Sequence, residues 1–163
     1  MNIRFLNIVL ALIIFYSCSD KYDTARNQLK VSMKVLVEKD VKFQLFYCTN
    51  YSGTYEEEHS QTISITGIDS LQDVSFLLPE GSEPLRIRID LGENRLMSKM
   101  YLKEISFTNG KKVKSFTNYE IAEMFKFNDD AEFIQELGMI KFNNSKDMYD
   151  PYLISKNIKN IFD

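Results

Sequence analysis

Period-two alternation runs through this chain from Leu29 onward, and it limits what the chain can fold into more than any other feature. Its cleanest instance is Leu85-Arg-Ile-Arg-Ile-Asp90, in which Leu85, Ile87 and Ile89 share one face and Arg86, Arg88 and Asp90 the other. Successive side chains point to opposite sides only in extended backbone, so the pattern predicts a strand with one dry and one wet face. Leu29, Val31, Met33, Val35 and Val37 alternate in the same way with Lys30, Ser32 and Lys34. The run from Phe43 to Cys48 is apolar on nearly both faces, as expected of a strand in the middle of its sheet.

Further strands are predicted at 61–66, 74–78 and 99–107, the last followed by a tight Asn109-Gly110 hairpin turn into 112–116. Between them stand Lys39-Asp40, Gly53, Gly67-Ile-Asp-Ser70, Pro79-Glu-Gly-Ser-Glu-Pro84 and Gly92-Glu-Asn94, all turn formers. Nine tyrosines and twelve phenylalanines add strand propensity. Helical periodicity is absent before residue 117, which argues against an α/β fold. Short strands punctuated this regularly predict a mainly β chain, an antiparallel β-sandwich of jelly-roll or Ig-like type.

The C-terminal segment reads differently. Thr117 and Glu120 have capping-box spacing, and Ile121, Met124 and Phe125 share a helical face, predicting a short helix over 118–126. Residues 130–137 fit a helix through Phe133, Ile134 and Leu137, or a strand through Phe133, Gln135 and Leu137, with Gly138 ending either. Strands are expected at 139–142 and 152–154, with Asp150-Pro151 as the turn between them. The segment is too short for a core of its own, so 29–163 is expected to be a single domain that 118–163 completes.

The first eighteen residues obey another logic. Arg4 precedes an apolar run from Phe5 to Tyr16, broken only by Asn7. A spanning helix needs ~20 apolar residues, whereas the hydrophobic part of a signal peptide needs roughly 7 to 15. Ser17-Cys18 closes the run, and this arrangement resembles the lipobox of bacterial lipoproteins, with Phe15 and Tyr16 bulkier than the usual Leu and small residue. The resemblance implies a signal peptide over 1–17, acylation of Cys18 (palmitate among the chains) and a lipid-anchored tether over 18–28. Ser19, where Asp would resemble an inner-membrane retention signal, implies an outer-membrane address. Asp20, Lys21 and Asp23 resemble a charged signal for export to the cell surface. Two or more acyl chains make such an anchor stable.

A second resemblance rests on Phe43-Gln-Leu-Phe-Tyr47, Leu85-Arg-Ile-Arg-Ile-Asp-Leu-Gly92 and Asp150-Pro-Tyr-Leu153. Together they resemble a β-sandwich accessory module of bacterial cell-surface and glycan-related proteins, similar to a carbohydrate-binding jelly roll, over roughly 29–155. Leu91 stands where related modules often have Pro. The resemblance implies a fold and a cellular neighbourhood, with no defined ligand.

Little in the chain points to catalysis. His59 is the sole histidine, in a loop with Glu56, Glu57 and Glu58 that is expected to be solvated. Cys48 lies in an apolar strand and is expected to be a buried thiol; with Cys18 lipidated, no internal disulfide can form. The six glycines form no phosphate-cradling loop, and a net charge of −3, or −4 once Arg4 leaves with the leader, makes nucleic acid an improbable partner. Removing 17 residues from 163 leaves 146, enough for one real core. Two binding sites are expected. Asp90, Glu93 and Asn94 cluster oxygens after a strand and could ligate a structural Ca²⁺. Asn50, Tyr51 and Tyr55 offer aromatic faces and an amide suited to a sugar. The expected function is a non-catalytic, lipid-anchored envelope protein, periplasmic or surface-exposed, that binds a glycan or joins a cell-surface assembly. The alternatives are a structural, protein-interacting subunit of an envelope complex and, less favoured, a glycan-active hydrolase.

Overall fold

The computed structural model describes residues 28–51, 53–145 and 147–163. The expected signal peptide, Cys18 and all but the last residue of the tether lie outside the described residues. Among the described residues the alternation becomes eleven strands and one α-helix: β1 (Leu29–Leu36), β2 (Val41–Cys48), β3 (Ser60–Ile65), β4 (Gln72–Leu77), β5 (Arg86–Asp90), β6 (Lys99–Asn109), β7 (Lys112–Phe116), α1 (Asn118–Met124), β8 (Phe125–Phe127), β9 (Ala131–Ile134), β10 (Met139–Phe142) and β11 (Tyr152–Ser155). Two antiparallel sheets pack as a sandwich, as the alternation predicts. The first has the order β4-β1-β6-β10-β9, with β7 sharing the same side of β6 as β10; the second is β3-β2-β5-β11-β8. The first six strands wrap as a long hairpin: β1 pairs with β6 in one sheet and β2 with β5 in the other.

Inward residues of both sheets make one core. Val31, Met33 and Val35 of β1 meet Phe43 and Leu45 of β2, Ile87 and Ile89 of β5, and Leu102, Ile105 and Phe107 of β6, all at most 1% exposed. Lys34 pairs with Glu104 but Val35 with Leu102, so Lys103 is the extra residue of a β-bulge. The bulge resets the alternation, which lets both Leu102 and Ile105 face inward across an odd spacing. Gly67 allows the 66–68 turn to lie against the 37–40 turn: a Cβ there would collide with the backbone of Glu38 and Lys39. Its N–H donates to Asp40 Oδ1 at 2.9 Å, and the Ile68 N–H to Val37 O at 2.9 Å.

At the open edge between the sheets, two glutamines bridge outward-facing backbone. Gln61 Nε2 donates to the carbonyl of Leu77 on β4, and Gln72 Nε2 to that of Thr66 at 3.1 Å.

The C-terminal segment completes both sheets. The capping box forms as expected, with the Thr117 N–H donating to Glu120 Oε2 at 3.0 Å. The helix stops at Met124, two residues earlier than predicted, because Phe125 is extended and pairs with Ser155. Phe125 is better placed there: its ring stacks on Phe107 at 6.5 Å and meets Phe116 edge-on at 6.4 Å. Residues 130–137 take the strand alternative over Ala131–Ile134, and Gly138 (φ 55°) turns the hairpin into β10.

The sandwich has a proximal end, where β1 starts, with the 78–85 loop, the 109–112 turn and residues 158–162. The distal end gathers the 37–40, 66–71, 91–98, 128–130 and 143–151 loops.

Candidate functional site

The outer face of the second sheet carries a connected array of interacting polar groups. With Ile87 and Ile89 buried in the core, β5 presents Arg88 and Asp90 outward in direct register with Phe46 and Gln44 of β2 and with Ile154 and Tyr152 of β11. Arg88 is the centre. Its Nε donates to Asp90 Oδ1 at 2.5 Å, and its Nη2 donates to Asp90 Oδ2 at 3.2 Å and to Asp150 Oδ2 at 2.7 Å. Its guanidinium carbon lies 4.0 Å from the Tyr152 ring centroid and 5.7 Å from that of Phe46. A forked cation between aromatic rings and two carboxylates is held in one orientation.

Gln44 extends the array, donating from Nε2 to Glu57 Oε2 at 2.8 Å and to Ser60 Oγ at 3.0 Å. Burial raises the Asp90 pKa; Arg88 works against this by hydrogen bond and charge, while Asp150 and Glu57 add to it, and the net shift is upward. An open cleft of about 530 Å³ runs from this array to the distal end, lined by Lys42, Gln44, Ser64, Thr66, Asp90, Glu93, Asn94 and Asp150 among others. Gly92 (φ 86°) forms part of its floor; a Cβ there would lie 2.6 Å from Val41 Cγ2.

The predicted Ca²⁺ ligands Asp90, Glu93 and Asn94 therefore share one cleft. Two of them are already engaged. Asp90 holds Arg88, and Asn94 donates from Nδ2 to Asp40 O at 2.9 Å and accepts the Leu96 N–H on Oδ1 at 3.0 Å. A Ca²⁺ drawing on all three would have to compete with Arg88 and with this turn.

The predicted sugar platform is divided by the fold. Tyr55 lies over the same outer face, 6.5 Å edge-on to Phe46, and burial together with the neighbouring Cys48 raises its phenol pKa. Tyr51 is 84% exposed and lines a separate cleft at the proximal end with Pro84, Leu85 and Phe162. Asn50, just before Tyr51, is exposed. Cys48 is buried, as expected.

The His59 side chain is 41% exposed, in keeping with the solvated loop expected of it, and it also makes defined contacts. The residue ends a single turn of 3₁₀ helix, Glu57–His59, with its ring 5.2 Å from that of Tyr47 and Nδ1 3.8 Å from Glu56 Oε2. Among the described residues, Glu56, Glu58 and His59 are the group of three ligand-type side chains whose donor atoms lie mutually close, within 4.8 Å.

Arg88, Gln44, Glu57, Asp150 and Tyr152 were not among the site residues expected from sequence. The signal for Arg88 was present in the Arg-x-Arg-x-Asp alternation, which places cation and carboxylate two residues apart on one wet face. Nothing in the sequence ties them to Asp150, 62 residues away.

Fold and site together define a two-sheet antiparallel sandwich with a carboxylate-, amide- and hydroxyl-lined cleft on one outer face. The chain matches no known family model, no curated protein and no solved structure.

Proposed function

We propose that this protein is a non-catalytic, lipid-anchored envelope protein of the bacterial outer membrane whose second-sheet cleft binds a glycan. The observation that carries the reading is the cleft lining. Asp90, Glu93 and Asp150 are hydrogen-bond acceptors, Lys42 is a donor, and Gln44, Ser64 and Thr66 can act as either, all within one cleft of about 530 Å³. Adjacent ring hydroxyls of a sugar need that mixture of donors and acceptors on a surface already ordered before binding. Asp90 and Asp150 are both bonded to the same guanidinium, which favours holding a ligand over transferring protons to one.

The anchor rests on Ser17-Cys18 following the apolar leader. Cys18→Ala should release the protein from membranes, and retention at unchanged mobility would overturn the anchor. The glycan reading is tested on an array of envelope and dietary polysaccharides probed with the full chain in detergent. Binding that Gln44→Ala combined with Asp150→Ala abolishes is expected. Silence across the array, or binding indifferent to both substitutions, overturns it.

A further inference from the structure

Two apolar side chains project from the distal end of the sandwich, on either side of an arginine clamp. Leu96 is 82% exposed and Met148 88%, while their neighbours Met97 and Tyr149 are turned into the core at 2% and 6%. The two tips belong to separate loops that Arg95 joins. Arg95 Nη1 donates to Asn144 O at 3.0 Å, Nη2 donates to Asp147 O at 2.8 Å, and Asn144 Nδ2 donates back to Arg95 O at 2.8 Å. The clamp is rooted in the core, since the Arg95 guanidinium lies 5.2 Å from the Tyr149 ring centroid and Tyr149 packs edge-on against Phe142 at 6.5 Å.

Single exposed apolar residues need no explanation. Here two long ones flank one clamp whose hydrogen bonds tie their loops together, which lowers the entropy lost on docking. The surroundings select the partner. Glu38, Asp40, Asp69, Glu93, Asp129, Asp147 and Asp150 are exposed in the distal loops, against Lys39 and Arg95 among the described residues there, and Lys99 at the start of β6 lies 3.9 Å from Glu38. Such an excess of acidic groups repels an anionic lipid surface and attracts a basic one. The end also lies opposite the start of β1, so a chain held from its N-terminal side carries these tips away from the point of attachment.

We propose that Leu96 and Met148 form a docking site for a partner protein whose apolar pocket is rimmed by lysine and arginine. The two side chains enter the pocket and the acidic surround pairs with its rim. Leu96 and Met148 lie outside the glycan cleft, although Asp40 and Glu93 line that cleft as well as the acidic surround.

The test uses photo-crosslinking of the full chain in its own cells, with p-benzoylphenylalanine at position 96, at position 148, and at the proximal control position 113, where Val113 is 62% exposed. Positions 96 and 148 should trap the same protein and position 113 should not. That protein, identified by mass and purified, should bind the full chain with affinity that falls at least tenfold in Leu96→Ser/Met148→Ser and declines with added salt. The double variant should keep the wild-type unfolding midpoint and glycan binding, because both side chains lie outside the core and the cleft. The proposal is overturned if no adduct forms, if position 113 gives the same adduct, or if the double variant binds equally well. Adducts with lipid or with a second copy of the chain would overturn it as well.

Discussion

Arg88 sits over the ring of Tyr152, 4.0 Å from its centroid, while the same guanidinium reaches Asp150, two residues before that tyrosine, at 2.7 Å. One side chain of β5 thus fixes both the strand β11 and the turn that leads into it. With Asp90 on its other side, Arg88 sets the shape of the cleft wall.

Replacing Arg88 by lysine keeps the charge but loses the planar fork and the stacking. Arg88 and Asp90 are about one-fifth exposed and Asp150 about half, so solvent screens part of the interaction. Arg88→Lys is therefore expected to cost about 1 kcal/mol, and Arg88→Ala up to about 2 kcal/mol. Urea denaturation checks this as a lowered midpoint at constant slope. A lysine variant as stable as wild type would remove Arg88 from its organising role.

Asp90 also gives the protein a pH signature. Its carboxyl pKa is raised in the fold, burial being the largest cause. The folded state therefore holds a proton that the unfolded state has released, starting from an unfolded pKa of about 3.9. Between that value and the folded pKa, Asp90 makes stability fall as pH rises; acidification through the window restores it. Asp90→Asn should flatten this component of the stability–pH profile. A profile of unchanged slope in that variant would assign the titration to another group.

Tyr149 is the second titration probe. Its hydroxyl is buried without a hydrogen-bond partner among the described residues, and its pKa is pushed up to about 12 by burial, with Asp130 adding and Arg95 opposing. An unfolded tyrosine ionises near pH ~10, so stability should fall as pH rises from there toward the folded value. Tyr149→Phe removes the unpaired hydroxyl, and a gain of about 1 kcal/mol at neutral pH is expected. Its alkaline loss of stability should also be smaller. Destabilisation by Tyr149→Phe would show that the hydroxyl has a partner after all.

Gly67 is the position where a single methyl should do most harm. Its Cβ would strike the backbone of Glu38 and Lys39, which cannot swing aside as a side-chain tip could. Gly67→Ala is expected to cost about 2–3 kcal/mol, the upper part of the range for overpacking. Thermal unfolding reads this directly, and a midpoint within one degree of wild type would contradict the close approach.

Most strands were legible in the sequence because each one records its own inside and outside. Leu85 to Asp90 needs no neighbour to declare its two faces, and Asn109-Gly110 declares its own turn. What could not be read was anything decided between strands. Phe125 looks helical beside Ile121 and becomes extended because Phe107 and Phe116 offer it an aromatic site. Tyr51 and Tyr55 are close in sequence, yet one is drawn over Phe46 and the other is left in solvent. Of the cleft, Asp90, Glu93 and Asn94 were visible as a local cluster. Asp150 reaches them only because β11 lies beside β5.

The two glutamines at the open edge change what a foreign strand would meet there. Unpaired edge carbonyls are the template on which a foreign strand first registers. Here the carbonyls of Leu77 and Thr66 already accept side-chain amides from Gln61 and Gln72 of the same chain. A newcomer would have to break those contacts before gaining its first ladder bond. A strand approaching β4 at Leu77 therefore meets the Gln61 amide before it meets that carbonyl.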